Sequence, residues 1–553
     1  MATALRRNSM SVPIRTGSAA PGIPRPWSVV SAIAVGTPLA VLAALSAVNS
    51  FIGHMTPDVS IYLLHARTFV ETLNRFTLSW DSKGIMLMFV FALPVRIFGA
   101  TMTAAALTQL CAHVAGLYFL FRIVRSYADR WSSALLVLLA TCVIYSSYIW
   151  GGRVRPENFA FACCAGCLYA GLRAKPRWWI AGGAMTAFCL FLKISLAFAP
   201  AATLIAAAVA DASNQVSARG EQQTLFLSTL AKDSGWLLLG FAAVAGAALA
   251  WIVAFDDLAQ CYRQTVEQPM QVSQIYASRS QNTWFFRKPI SLLTESRLDF
   301  LFAGGIPGLL YGWFRGFRRE ASLIGVLLLT EFLRVAVERS SYPYLLTIML
   351  APMLLGVAFF GSGKKDSTAS MLGWIAPLYL LVPLLIPTVR EQVETFDLRA
   401  VKRLPAPYEY LAQQLRTRYR PGEYIYVNAL DQQIILLLNA PRPFPIIYPY
   451  FVMATSEDER SRTVKHYEAQ PPDWIITREP ELSPVTFETL GSVDGAYHVY
   501  LPPGTLIRSG DTAQHGSPPS RTGSSLVAVG SASSKYTLEV DTGYLQAWHL
   551  VKQ

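Results

Sequence analysis

Charge is scarce in this chain: 15% of its 553 residues are Asp, Glu, Lys or Arg, while 53% are hydrophobic. A soluble domain carries about a quarter charged residues, and here the apolar residues come in runs too long for any soluble core helix. Cysteine is sparse too. Cys111, Cys142, Cys163, Cys164, Cys167 and Cys189 fall in apolar runs and only Cys261 in a loop, none at metal-ligand spacing to a histidine. That pattern argues against a disulfide scaffold or a zinc site. The sequence has no Gly-rich phosphate loop, no dinucleotide fingerprint and no HExxH helix, which leaves nucleotide-driven chemistry without support.

What remains reads as a polytopic α-helical membrane protein. Apolar segments near 27–51, 101–121, 131–149, 158–172, 178–193, 195–211, 235–254, 300–314, 321–338, 343–361 and 369–388 give roughly eleven spans. The first, Trp27 to Phe51, exceeds a signal-peptide core and lacks a small-residue cleavage site, so it is expected to be retained. Arg6, Arg7, Arg15 and Arg25 precede it with no acidic residue among them, placing the N-terminus in the cytoplasm. Arg122/Arg125/Arg130, Arg173/Lys175/Arg177, Arg219/Lys232, Arg315/Arg318/Arg319 and Lys364/Lys365 then fall on the cytoplasmic side. The net charge of +12 is spread over these loops, and no nucleic-acid partner follows. The count requires that Gly84–Gly99, apolar but interrupted by Pro94 and Arg96, lies in the interface or re-enters rather than crossing. A twelfth short span is the alternative, and it would spoil the later charge pattern.

The expected organisation is a cytoplasmic tail over 1–26, a membrane domain over 27–388 and an extracytoplasmic α/β domain over 389–505. Within the membrane domain, external loops cover 52–100 and 256–299. Residues 506–553 are expected to be a flexible linker and terminal segment, because 509–535 is rich in Ser and Gly. The final stretch, Tyr536–Gln553, leaves a strand pair undecided.

Four polar constellations share the external side in this topology. Asp58 follows the first span, ahead of an amphipathic segment with His65, Arg67, Glu71 and Arg75; alternatively Pro57-Asp58 simply opens a helix. Arg153-Val-Arg155-Pro-Glu157 offers two arginines suited to phosphate, or to anchoring helix ends. Lys193 ends an apolar helix with no carboxylate near it in sequence, as a snorkelling cation or a partner for a lipid phosphate. Glu331, Arg334 and Glu338 recur on one helix face and must face protein or a wet cavity; an internal ion pair is the plain reading.

The order and spacing of these motifs resemble the C-type (GT-C) glycosyltransferases that use polyprenyl-phosphate sugars, specifically bacterial members similar to dolichyl-phosphate-mannose protein mannosyltransferases and lipid A aminoarabinose transferases. Pro57-Asp58-Val-Ser-Ile-Tyr62 with Ala66-Arg67 is similar to that family's first-loop motif, and Trp80-Asp-Ser-Lys83 to Gly99 to its second part. Arg153-Val-Arg155-Pro-Glu157, Phe191-Leu-Lys193 and Arg339-Ser-Ser-Tyr342-Pro-Tyr344 match its later motifs. Val59 stands where several members carry a second acid, and Gly84-Ile85 where paired prolines are usual.

The resemblance implies an inverting enzyme of the bacterial inner membrane. It would move a sugar from a polyprenyl-phosphate donor to an envelope glycan, lipid or protein acceptor on the external face. It assigns Asp58 as general base and Arg155, Lys193 and Arg339, with Arg153, as cations for the donor phosphate. Glu157, Tyr62, Arg67 and Tyr342 would position the acceptor or a cation, and a divalent metal ion stays an open option. The alternative is a non-enzymatic protein of polysaccharide assembly or lipid-linked sugar transport.

Overall fold

Proline, whose fixed φ suits the first helical position, opens five of the helices, at Pro26, Pro57, Pro156, Pro176 and Pro407. The computed structural model describes residues 26–53, 55–77, 83–127, 130–145, 154–219, 223–271, 287–296, 298–338, 343–361, 386–402, 405–428, 432–441, 472–478, 506–509, 525–528, 535–541 and 545–551.

The helices are α1 Pro26–Ile52, α2 Pro57–Thr72, α3 Ile85–Phe98, α4 Met102–Val124, α5 Arg130–Ile144, α6 Pro156–Arg173, α7 Pro176–Leu192, α8 Phe198–Arg219, α9 Gln223–Phe255 and α10 Leu258–Tyr262. They continue as α11 Arg287–Glu295, α12 Asp299–Phe314, α13 Arg318–Glu338 and α14 Leu350–Ala358. A helix over 386–396, α15, leads to α16 Pro407–Leu415 and α17 Gln433–Leu437. Among the described residues three stretches are long and apolar enough to cross a membrane, Met102–Val124, Ile194–Val216 and Thr224–Phe255.

Most other expected spans are also helical. The one at 343–361 is broken into a 3-10 turn (Pro343–Thr347), α14 and a second 3-10 turn (Phe359–Gly361). The one at 369–388 lies almost wholly outside the described residues. Fourteen-residue α3, with Pro94 inside it, is about 21 Å long, short of the roughly 30 Å hydrocarbon core. Cys261, read as a loop residue, is buried in α10.

At the centre stands α6, buried from Pro156 to Gly171 on nearly every side, its Ala, Cys and Gly residues letting α4, α7 and α8 pack close. Helices α7 and α9 cross through glycines. A Cβ on Gly183 would meet the Leu237 carbonyl oxygen at 2.0 Å, and one on Gly240 the Ile180 oxygen at 1.9 Å. Basic loops gather at one end of the bundle. Arg319 donates to the Gly171 carbonyl at 2.9 Å and pairs with Asp211 at 3.6 Å, while Arg122 and Arg173 both lie over the Tyr169 ring.

The C-terminal part forms one six-stranded sheet: β1 Ile425–Asn428, β2 Trp474–Arg478, β3 Leu506–Ser509, β4 Ser525–Ala528, β5 Lys535–Asp541 and β6 Leu545–Val551, in the order β1-β2-β6-β5-β4-β3. Strands β1 and β2 are parallel and the other pairs antiparallel. The expected strand at 445–448 and helix at 459–469 lie outside the described residues. Strands β3 to β6 lie within 506–553, the stretch expected to be a linker and terminal segment with a strand pair left open at its end. Four-residue strands such as β4 leave too little alternation to stand out from a Ser/Gly-rich background.

Three side-chain ties hold this unit to the start of the first loop. Arg399 donates from Nε to the Ile52 carbonyl and forks onto Glu409 at 2.9 and 2.7 Å. Gln433 donates to the Met55 carbonyl at 2.8 Å, and Arg67 to that of Ala440 at 3.0 Å.

Candidate active site

Two helices begin in the same way at the end of the bundle away from the basic loops. Pro57-Asp58 opens α2 and Pro156-Glu157 opens α6, so each carboxylate sits in a first turn, where the helix dipole favours negative charge. Lys193 caps the C-terminus of α7 in extended backbone, where a cation is favoured, and the chain turns at once through the 3-10 segment Ile194–Ala197 into α8.

These ends meet. Asp58 Oδ2 pairs with Arg155 Nη1, and the Arg155 guanidinium lies 4.3 Å from the centre of the Tyr344 ring, a cation–π contact. Lys193 Nζ stands 3.3 Å from Glu157 Oε1 and 3.0 Å from Glu338 Oε2. The other Glu338 oxygen accepts from Ser195 Oγ at 2.5 Å and from Arg334 Nη1 at 2.8 Å. Arg334 also donates to Glu331 Oε2 and to the Leu345 carbonyl, both at 2.8 Å.

Burial grades this network. Glu331 (0% exposed), Glu157 (1%) and Arg334 (4%) form its floor. Asp58 and Lys193 form its mouth, with side chains 30% and 24% exposed. A carboxylate and an ammonium are thus accessible above a buried, hydrogen-bonded base that fixes their positions. Four carboxylates (Asp58, Glu157, Glu331, Glu338) face three cations (Arg155, Lys193, Arg334), an excess of one negative charge among these residues. Buried Glu157 Oε2, Glu331 Oε1 and Arg155 Nε have no hydrogen-bond partner among the described residues.

The described ends of the connection between α2 and α3, at 75–77 and 83–84, are each held by side-chain or backbone bonds. Both Asp256 oxygens accept backbone N–H bonds, from Arg75 (2.5 Å), Phe76 (2.6 Å) and Thr77 (3.0 Å). Buried Arg75 reaches Gln264 and the Lys83 carbonyl. Gly84 donates to the Leu192 carbonyl at 2.9 Å, and a Cβ there would come within 1.9 Å of the Phe191 oxygen. Glycine in place of the expected proline lets the loop rest on the turn that carries Lys193.

Asp58, Arg155, Glu157 and Lys193 come together, from α2, α6 and the end of α7. Lys193 is not the solitary cation its sequence neighbourhood implied, because Glu157 and Glu338 both hold it. The Glu331/Arg334/Glu338 stripe faces protein as an internal ion network. Tyr62 is buried, with its ring tilted against Phe91. Arg67 lies about two and a half turns along α2 from Asp58 and binds Asn439 and Ala440 instead of joining the cluster. Burial holds its guanidinium below the usual range, with Glu71 partly offsetting this. Arg153, Arg339 and Tyr342 lie outside the described residues. Ser195 joins the site although no motif marks it; Tyr344, from the Arg339-to-Tyr344 motif, and Glu338, from the charged stripe, join it too. Among the described residues no three His, Cys, Asp or Glu side chains assemble as a metal-binding set.

Residues 82–230 match the family described as dolichyl-phosphate-mannose-protein mannosyltransferase, a segment that includes Arg155, Glu157 and Lys193. Among solved structures, that of ArnT from Cupriavidus metallidurans bound to undecaprenyl phosphate is similar at 14% identity, over 82% of this chain and 93% of that one, with a TM-score of 0.53. The apo form of the same protein is similar at 15% identity and the same coverage, with a TM-score of 0.50. No curated protein matches the chain. The chain therefore has the fold of the GT-C membrane transferases, and over residues 82–230 it is similar in sequence to the family that its motifs resemble.

Proposed function

We propose that this protein is an inverting glycosyltransferase of the bacterial inner membrane. It transfers a sugar from a polyprenyl-phosphate donor to an envelope glycan, lipid or protein acceptor on the external face. The observation that carries this reading is the meeting of Asp58 with Arg155, and of Glu157 with Lys193, at one end of a GT-C bundle. The ligand of the ArnT structure, undecaprenyl phosphate, supports the donor class. The clustering of Arg122, Arg173 and Arg319 at the opposite end supports an outward-facing site.

Asp58 takes the proton of the acceptor hydroxyl as its oxygen attacks the anomeric carbon, a role worth about 10² to 10⁴ in rate. The bond from that carbon to the phosphate oxygen breaks, and polyprenyl phosphate leaves with the electron pair. Arg155 orients the Asp58 carboxylate from one side and faces the phosphate from the other, backed by the Tyr344 ring. Lys193 is the second phosphate cation, and Glu157 holds it in place. The excess negative charge of the described cluster calls for further cations when an anionic donor arrives, and Arg153 and Arg339 supply them.

Asp58→Asn should leave expression and folding intact yet abolish transfer from lipid-linked sugar in a membrane assay; near-wild-type turnover removes Asp58 from the role of base. Lys193→Ala should raise the donor KM more than the acceptor KM, and an unchanged donor KM would count against a phosphate role for this lysine.

A further inference from the structure

Two carboxylates compete for one lysine at the mouth of the site, and their circumstances differ. Buried Glu157 has Lys193 as its one hydrogen-bonding partner among the described residues, and its second oxygen has none. Losing the lysine would strand a buried charge. Glu338 keeps Ser195 and Arg334 when Lys193 leaves it. The contact to Glu338 is therefore the exchangeable one. Lys193 itself is partly exposed, and its ammonium has three donors, so a phosphate can approach while Glu157 still holds the chain.

We infer that Glu338, seated by Ser195 and Arg334, is a positioning residue that holds Lys193 and whose charge competes with the donor phosphate for it, so that the Glu338 contact weakens donor binding. This inference rests on the donor reading above. Its consequence is a pair of opposite shifts. Glu338→Gln keeps an oxygen for Ser195 and Arg334 but removes the charge that competes with phosphate, so binding tightens by roughly tenfold, the scale of one charge-assisted contact. Ser195→Ala deprives Glu338 of one donor, makes it lean harder on Lys193, and weakens binding several-fold.

The test is the affinity of the full-length protein in nanodiscs for undecaprenyl phosphate, read by titration for wild type and both variants. Parallel donor KM and kcat measurements should show the change in KM with no rise in kcat. Tighter binding for Glu338→Gln together with weaker binding for Ser195→Ala supports the inference, since a merely structural role would move both the same way. If wild type binds and the variants are unchanged or shift together, the inference fails and the donor reading stands. If wild type does not bind the probe at all, both fail.

Discussion

Replacing Gly84 by alanine should misplace Lys193 without unfolding the protein. The added methyl group would sit 1.9 Å from the Phe191 carbonyl oxygen, and the obstacle is backbone at the end of α7 rather than a movable side chain. Restoring even a tight contact of 3.0 Å requires the loop and the turn to part by about 1 Å. Overpacking of this kind costs about 1–3 kcal/mol, and the bond from Gly84 N to the Leu192 carbonyl contributes about 1 kcal/mol more when broken. The melting midpoint of the detergent-solubilised protein should fall by roughly 5 °C. Activity should fall further, because a displacement of about 1 Å at a reacting centre can cost on the order of 10²-fold. Scanning fluorimetry and turnover of lipid-linked sugar would be measured on Gly84→Ala beside Gly246→Ala and Gly325→Ala, whose added methyl groups meet nothing within 4 Å. Wild-type melting and turnover for Gly84→Ala would refute the contact between the first loop and the Lys193 turn.

Two further outcomes follow from the network and its supports. Arg334→Gln leaves buried Glu331 uncompensated and should cost about 3–5 kcal/mol, seen as a large loss of thermal stability; a change under 1 kcal/mol would deny that the pair is buried. Asp256→Ala removes the acceptor of four backbone N–H groups and should cost about 1–3 kcal/mol, with faster amide hydrogen exchange confined to Arg75, Phe76, Thr77 and Asp257. Unchanged exchange at those amides would show that the clamp is absent in solution.

The site was legible in the sequence where its chemistry is local. Pro57-Asp58 and Pro156-Glu157 announce helix starts bearing a carboxylate, and Lys193 stands out because it interrupts an apolar run. The partner of Lys193 was not legible, since Glu338 lies 145 positions away and read only as part of its own helix stripe. Arg67 misled for the opposite reason. It belongs to the motif around Asp58, yet helical rotation carries it to the far side of α2 and onto Ala440. In the fold, helix positions followed from apolar run length, whereas β3 and β4, four residues each, fell below the length at which strand periodicity can be read.

The strand order has a consequence for biogenesis. Strand β6, Leu545–Val551, occupies an interior position between β2 and β5, so the two halves of the sheet are joined through the strand that comes last of the six in sequence. The membrane helices can insert and pack while translation continues, but the sheet cannot be completed until Leu545–Val551 has been delivered. Truncation before Leu545 would remove its middle rather than trim its edge.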